Sequence, residues 1–104
     1  MKSIEIVVPI FNAAFDVAQC LAALQDHTPE FARVWLVDDA STDAQIGAML
    51  EAFKARAHFN VRILSNAKNL GFIGSVNRAL TQVQGDALLL NYHQRFHLSD
   101  RTRC

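Results

Sequence analysis

Two adjacent carboxylates, Asp38 and Asp39, follow a short apolar run in this sequence and precede the turn-forming residues Ser41 and Asp43. The apolar run is typical of a buried strand, and Ser and Asp are favoured where a helix begins. In an open α/β sheet, ligands bind in the crevice outside the carboxyl ends of the strands. The two carboxylates are therefore candidates for ligand binding, although the same residue types also serve as ordinary turn and cap residues.

Two other segments have the same organisation. An apolar run from Ile4 continues through Pro9 to the polar residue Asn12, and a run ending near residue 65 continues into a helical pattern through Gly71. Since parallel strands end at the same edge of a sheet, the three segments are expected to face one crevice.

The spacing of apolar residues predicts alternating strands and helices. Strands are expected at about residues 4–9, 33–37, 61–65 and 86–90, because these runs are rich in Val, Ile and Leu and show little alternation, as in parallel strands buried on both faces. Alternation of strands with helices implies a parallel sheet with right-handed crossovers. At 104 residues and 51% hydrophobic residues, the chain can form one core.

Three apolar stripes with helical spacing lie between the strands, and we expect all three to face the core. They are Val17, Cys20, Leu21 and Leu24; Ile46, Met49, Leu50 and Phe53; and Ile73, Val76, Leu80 and Val83. Pro29 ends the first helix, Ser41 is expected to cap the second, and Gly85 is expected just after the third.

The three strand-to-helix segments, in this order, resemble the inverting, nucleotide-sugar-dependent glycosyltransferases of family 2, which have a GT-A fold. The resemblance covers about residues 3–91 and implies a Rossmann-like parallel sheet of order 3-2-1-4 with three helices. Residues 1–91 would then form the nucleotide-binding half of a GT-A domain. The N-L-G-F segment that begins at Asn69 looks most like rhamnosyltransferase-like members, which act in polysaccharide or cell-surface glycan synthesis.

The resemblance implies a set of residues that bind a UDP- or dTDP-linked sugar. They are Pro9, Phe11, Asn12, Asp38, Asp39, Ser41, Asn69, Gly71 and Asn77. In the family, Pro9 and Asn12 correspond to residues that border the base and ribose. Asp39 corresponds to the acceptor of the pyrimidine imide N–H, which suits a carboxylate because it only accepts hydrogen bonds. Asp38 and Ser41 would shape the turn.

The sequence departs from the family after Asn91. The family continues with an aspartate-rich motif that binds Mg²⁺ or Mn²⁺, whereas this chain has no carboxylate between Asn91 and Asp100. In the family, a carboxylate base deprotonates the acceptor hydroxyl and the metal stabilises the leaving diphosphate. Neither is recognisable here, so no catalytic residue is assigned and the chain alone is expected to be inactive.

Residues 92–104 form an atypical tail, as a frame shift or truncation would produce. Within it, His93 and His97 have a spacing that could bind a metal on a helix, but no third ligand is evident. A genuine surface extension is the alternative.

Other classes of function are less well supported. The formal net charge is zero and no basic stripe is visible, which argues against nucleic-acid binding. The motifs of dinucleotide-binding and P-loop proteins are absent. A nucleotidyltransferase-like domain and a non-catalytic, self-associating fragment remain as alternatives. The chain has no apolar run long enough for a membrane span. Its two cysteines form no metal or redox motif, so a reduced cytoplasmic protein is expected, with the inner face of the membrane as a second location for the parent. An open edge at the fourth strand predicts a homo-oligomer.

Overall fold

Strands and helices alternate throughout residues 4–90, the part of the chain that the computed structural model describes. The elements are β1 Ile4–Ile10, α1 Ala14–His27, β2 Arg33–Asp38, α2 Ala44–Arg56, β3 Asn60–Ser65, α3 Gly71–Leu80 and β4 Asp86–Leu89. This sequence of elements confirms the predicted α/β class. The tail at 92–104, including the histidine pair, lies outside the described residues.

The strands form one parallel sheet in the order β3-β2-β1-β4, as the resemblance implied. In the register of the sheet, Ile10 at the end of β1 is the partner of Asp38, and Asp38 is the partner of Ser65 at the end of β3. The carboxyl ends of these three strands are therefore level at one edge of the sheet. Glu5 lies near the opposite edge, beside Arg33.

Alternate residues of the central strands fill two separate cores, one on each face of the sheet. Val8 and Leu36 belong to the larger core, which contains the predicted stripes of α1 and α2. Val7, Trp35 and Val37 belong to a smaller core under α3. Two helices thus cover one face of the sheet and a single helix covers the other. Both faces of β1 and β2 are buried, and this explains why the sequences of these two strands are continuously apolar.

The third helix is rotated relative to the sequence prediction, which was wrong for Ile73 and Leu80. Ser75 and Ala79 are fully buried against the sheet, whereas Ile73 is 71% exposed and Leu80 is 44% exposed. Small side chains on the buried face allow α3 to lie close to the sheet. Val83 lies beyond the end of the helix and is partly buried in the smaller core.

The connection from α3 to β4 also differs from the prediction. The helix ends at Leu80 and Thr81 is its cap, so Gly85 is not the residue after the helix. All four residues of β4 are exposed. Leu90 follows β4 and is buried in the larger core, with its N–H donating to the carbonyl of Val7 at 2.9 Å, whereas Leu88 and Leu89 are exposed.

Candidate functional site

The loops after β1, β2 and β3 lie side by side at the carboxyl edge of the sheet. The strand ladder continues one residue into these loops: Asp39 N–H donates to the carbonyl of Ile10 at 2.8 Å, and Asn66 N–H donates to the carbonyl of Asp38 at 2.8 Å. The backbone thus brings together the three segments that the sequence singled out. We call this region the rim, and define it as residues 11–13, 38–43 and 66–71.

Asn12 fastens the first loop of the rim to the second. Its Oδ1 accepts hydrogen bonds from the backbone N–H groups of Thr42 and Asp43, both at 2.9 Å, and its Nδ2 donates to Thr42 Oγ1 at 3.2 Å. Asn12 and Ala13 both have positive φ, of 52° and 61°. Asn adopts this conformation more readily than most residues. Asn12 therefore holds a sharp turn and a neighbouring loop in place.

The turn after β2 is held by the side chains of Asp38 and Ser41. Asp38 Oδ1 accepts from Ser41 N–H at 3.0 Å, and Ser41 Oγ accepts from Asn12 N–H at 2.9 Å. Both residues thus shape the turn. Ser41 does not cap α2, contrary to the prediction. Asp43 does so, because its Oδ1 accepts from the N–H of Gln45 at 2.9 Å.

The Asp39 carboxylate is buried and binds the start of α3. Its Oδ1 accepts from Leu70 N–H at 2.6 Å and from Asn66 Nδ2 at 2.8 Å, and its Oδ2 accepts from Gly71 N–H at 2.9 Å. Asp39 is only 5% exposed. Leu70 is the N-cap residue of α3, and its side chain makes no capping hydrogen bond. Asp39, which follows β2, therefore satisfies the free N–H groups at the start of α3.

The hydrogen bonds of Asp39 keep it ionised. Burial by itself disfavours the charged form, but the bonds from Leu70, Asn66, Gly71 and Ser75 outweigh that effect and lower the pKa of the Asp39 carboxyl below its ordinary value. The carboxylate is thus a fixed negative charge of the rim at neutral pH. A carboxylate has about four acceptor positions, and the four donors Leu70, Asn66, Gly71 and Ser75 hold that of Asp39 in one orientation.

Three further residues join this network, and the sequence analysis did not assign them. Asn66 Nδ2 also donates to Ser75 Oγ at 3.0 Å, and Arg78 Nη1 donates to Asn66 Oδ1 at 2.6 Å and to the Ser65 carbonyl at 2.9 Å. Asn66 follows directly after β3, in the position that Asp39 has after β2. That equivalence is the signal that could have identified Asn66, whereas nothing in the helical pattern marked Ser75 or Arg78.

The remaining predicted site residues lie in different parts of the structure, and only some of them lie in the rim. Asn69 Nδ2 donates to the Asp39 carbonyl at 2.9 Å, which places Asn69 in the rim. Pro9 is buried within β1 beside Val37, and Phe11 is 46% exposed at the end of β1. Asn77 is exposed on α3, two residues from the buried Ser75. Because residues two apart point to different sides of a helix, Asn77 does not join the other site residues.

A second buried carboxylate, Glu5, has the same kind of role at the opposite edge of the sheet. Its Oε1 accepts from Trp35 Nε1 at 2.7 Å, and its Oε2 accepts from the N–H groups of Gln84 and Gly85 at 2.8 and 3.0 Å. Burial disfavours its charged form, but these bonds and nearby Arg33 lower the pKa of the Glu5 carboxyl. One carboxylate therefore binds the start of α3 and the other binds the connection after it.

Within residues 4–90, no three His, Cys, Asp or Glu side chains are grouped closely enough to hold a metal ion. The described residues therefore do not form the metal site that the resemblance implies for a full-length family member. The same part of the chain contains no helix with the length and apolar character needed to cross a membrane.

Comparison with known proteins agrees with this fold. The family described as "Glycosyl transferase family 2" matches residues 5–91 of the chain. The structure of TarS from S. aureus is similar, with a TM-score of 0.75 and 28% sequence identity over 88% of this chain. TarS 1–349 in complex with UDP-GlcNAc has a TM-score of 0.68 and 30% identity over 88% of this chain.

A more distant structure has the same fold. The mannosyltransferase PcManGT from Pyrobaculum calidifontis, in complex with GDP-Man and Mn²⁺, has a TM-score of 0.71 and 21% identity over 86% of this chain. The chain spans only 27% of that protein, 16% of TarS and 26% of the TarS 1–349 complex. None of the curated proteins matches the sequence.

Proposed function

The chain belongs to glycosyl transferase family 2, and from this premise we propose that its rim binds the nucleotide of a nucleoside-diphosphate sugar. In the parent protein, the bound sugar would be transferred to an acceptor hydroxyl. The chain would supply the donor-binding half of that enzyme.

The observation that carries the proposal is the joining of three loops into one rigid edge. Asn12 binds the second loop, and Asp39 and Asn69 bind the second loop to the third. A preformed edge of this kind can bind a ligand without first becoming ordered, which avoids an entropic cost. Two of the TarS structures are complexes with UDP and with UDP-GlcNAc, which supports a uridine nucleotide as the ligand class.

We propose that Asp39 accepts the imide N–H of a pyrimidine base. Asp39 lies in the rim, where its Oδ2 accepts a hydrogen bond from Gly71 at 2.9 Å, and a carboxylate only accepts hydrogen bonds, as contact with an imide N–H requires. A purine such as adenine has no equivalent imide N–H, so the same carboxylate favours uridine and thymidine nucleotides. Phe11, half-exposed at the end of β1, offers an apolar ring at the same edge for contact with the base or ribose.

The finer points of function are proposals of the same kind. The N-L-G-F segment at Asn69 supports hexosyl or rhamnosyl transfer in polysaccharide or cell-surface glycan synthesis, and a cytoplasmic location near the membrane's inner face suits such a role. Mg²⁺ or Mn²⁺ is proposed for a full-length member, and the described residues do not supply its ligands. We therefore propose that the chain alone binds nucleotide but does not transfer sugar.

We further propose that the chain self-associates as a homo-oligomer. Large apolar side chains are exposed on both α3 and β4. Monomeric soluble proteins rarely expose large continuous apolar patches.

Titration calorimetry with UDP, dTDP and ADP tests the proposed nucleotide binding. We expect weak but measurable binding of the two pyrimidine nucleotides and weaker binding of ADP. Equal affinity for UDP and ADP would contradict recognition of the imide, and absence of all binding would favour a non-catalytic fragment.

A further inference from the structure

The apolar side of α3 points toward the space above β4. Arg78 contacts the end of β3, so the flank of α3 that carries Arg78 faces β3. Ile73, Val76 and Leu80 are spaced three and four residues apart, so they share one side of the helix, away from the flank of Arg78. Since β3 and β4 are at opposite edges of the sheet, this apolar side faces β4.

The floor of that space is also apolar. In the register of the sheet Leu89 is the partner of Val7, and Val7 packs in the core beneath α3. Leu89 therefore lies on the same face of the sheet as α3 and is 43% exposed there. We define the α3 notch as the exposed apolar residues around this space: Phe72, Ile73, Leu80 and Leu89.

The size of the notch is close to what a homodimer needs. With about 200 Å² for a fully exposed large apolar residue, the exposed fractions of the four residues correspond to roughly 400 Å² of apolar surface. A stable interface buries about 800 Å² per partner, and about 65% of a homodimer interface is apolar. The notch therefore holds most of the apolar area that one partner of a standard dimer contributes.

We propose that a second copy of this chain occupies the notch. The α3 helices of the two copies then lie side by side, and α3 of the second copy lies above β4 of the first. By two-fold symmetry, α3 of the first copy then lies above β4 of the second, and the two helices form one layer between two sheets. This arrangement covers the face of β4 that a parallel sheet otherwise leaves open. The inference rests on the proposed self-association and is independent of nucleotide binding.

Light scattering on the full chain with single substitutions tests the arrangement. The chain should be a dimer at micromolar concentration, and Ile73→Lys and Leu89→Glu should each weaken the dimer at least a hundredfold, because every residue occurs twice in a two-fold interface. Phe31→Lys is the matched control, since Phe31 is 60% exposed in the turn before β2, outside the notch. It should leave the dimer unchanged, and circular dichroism should show all three variants folded.

Mixing the two notch variants makes the test specific. In the proposed packing, Ile73 of one copy faces Leu89 of the other, so Ile73→Lys mixed with Leu89→Glu should form a heterodimer while each alone is monomeric. A monomeric unmodified chain of 11.6 kDa would overturn both self-association and the arrangement. Oligomers that persist in both notch variants, or a mixture that stays monomeric, would overturn the arrangement alone, whatever the outcome of the nucleotide titration.

Discussion

Asp39 and Gly71 are 32 positions apart in the sequence, yet the Asp39 carboxylate accepts a hydrogen bond from the Gly71 backbone at 2.9 Å. This contact fixes where α3 begins relative to β2. Glu5 makes the corresponding contact with Gln84 and Gly85 after the helix. Two buried carboxylates therefore bind the start of α3 and the connection that follows it, and we call these two sets of hydrogen bonds the clamps. They help to explain how a helix with a small, partly polar inner face keeps its position on the sheet.

The clamps predict that acid destabilises the fold. Both carboxyls have a pKa lowered by folding, so their contribution to the free energy of unfolding is complete above the unfolded-state pKa, about 4, and is lost as pH falls below it. Asp39→Asn should lower the free energy of unfolding at pH 7 by about 2–3 kcal/mol, because charge-assisted hydrogen bonds are lost. Its loss of stability from pH 5 to pH 2 should be smaller than that of the unmodified chain.

Urea unfolding at several pH values, at one protein concentration, measures both effects. Glu51→Gln removes the same charge from the exposed side of α2 and is the control for net charge. If Asp39→Asn and the unmodified chain lost equal stability in acid, the carboxylate of Asp39 would not be the group that responds to pH.

The strands could be predicted from the apolar runs of the sequence, and their order from the resemblance to the family, but the rotation of α3 and the clamps could not. Continuous apolar runs identify parallel strands because both of their faces are buried. The prediction for α3 assumes that the apolar side of a helix faces the sheet. In the structure, Ser75 faces the sheet instead and accepts a hydrogen bond from Asn66. No sequence pattern marks Glu5 as a clamp, because its partners are up to 80 positions away.

Glycine substitutions should separate backbone strain from helix propensity. Gly71 has a φ of 79°, so Gly71→Ala should lower the free energy of unfolding by about 1–2 kcal/mol although no atom lies within 4 Å of the added methyl group. Gly47 lies in the exposed part of α2 with equally open surroundings and no positive φ, so Gly47→Ala should stabilise by about 0.5–1 kcal/mol. Thermal or urea unfolding of the two variants checks the opposite signs. Equal effects would mean that the start of α3 is not held in the left-handed conformation.

The chain alone should show no transferase or nucleotide-sugar hydrolase activity with Mg²⁺ or Mn²⁺. Residues 4–90 contain no group of three metal-binding side chains, so the charge on a leaving diphosphate would have no metal to stabilise it there. Release of UDP from UDP-sugars is the measurement, against a control without protein. Release above that control, abolished by Asp39→Ala but kept in Glu5→Gln, would show that other groups of this chain stabilise the diphosphate.

Nucleotide binding should depend on Asp39 and not on Glu5, although both are buried carboxylates. Loss of one charge-assisted hydrogen bond costs about 1.5–3 kcal/mol, so Asp39→Ala should weaken UDP binding about tenfold or more. Both substitutions remove the acceptor of two backbone N–H groups, together with the side-chain donors Asn66 and Ser75 for Asp39 and Trp35 for Glu5. Glu5→Ala therefore controls for lost stability, since Glu5 lies at the edge of the sheet opposite the rim.

Calorimetry at a temperature where circular dichroism shows both variants folded makes this comparison. We expect Glu5→Ala to keep the UDP affinity of the unmodified chain and its preference over ADP, while Asp39→Ala loses both. If Glu5→Ala weakened UDP binding as much as Asp39→Ala, the loss would follow from a displaced α3, and Asp39 would act only by positioning the Asn69–Gly71 segment. A loss of UDP affinity without any loss of preference over ADP would lead to the same conclusion, because preference for the pyrimidine is the property that direct contact with the imide provides.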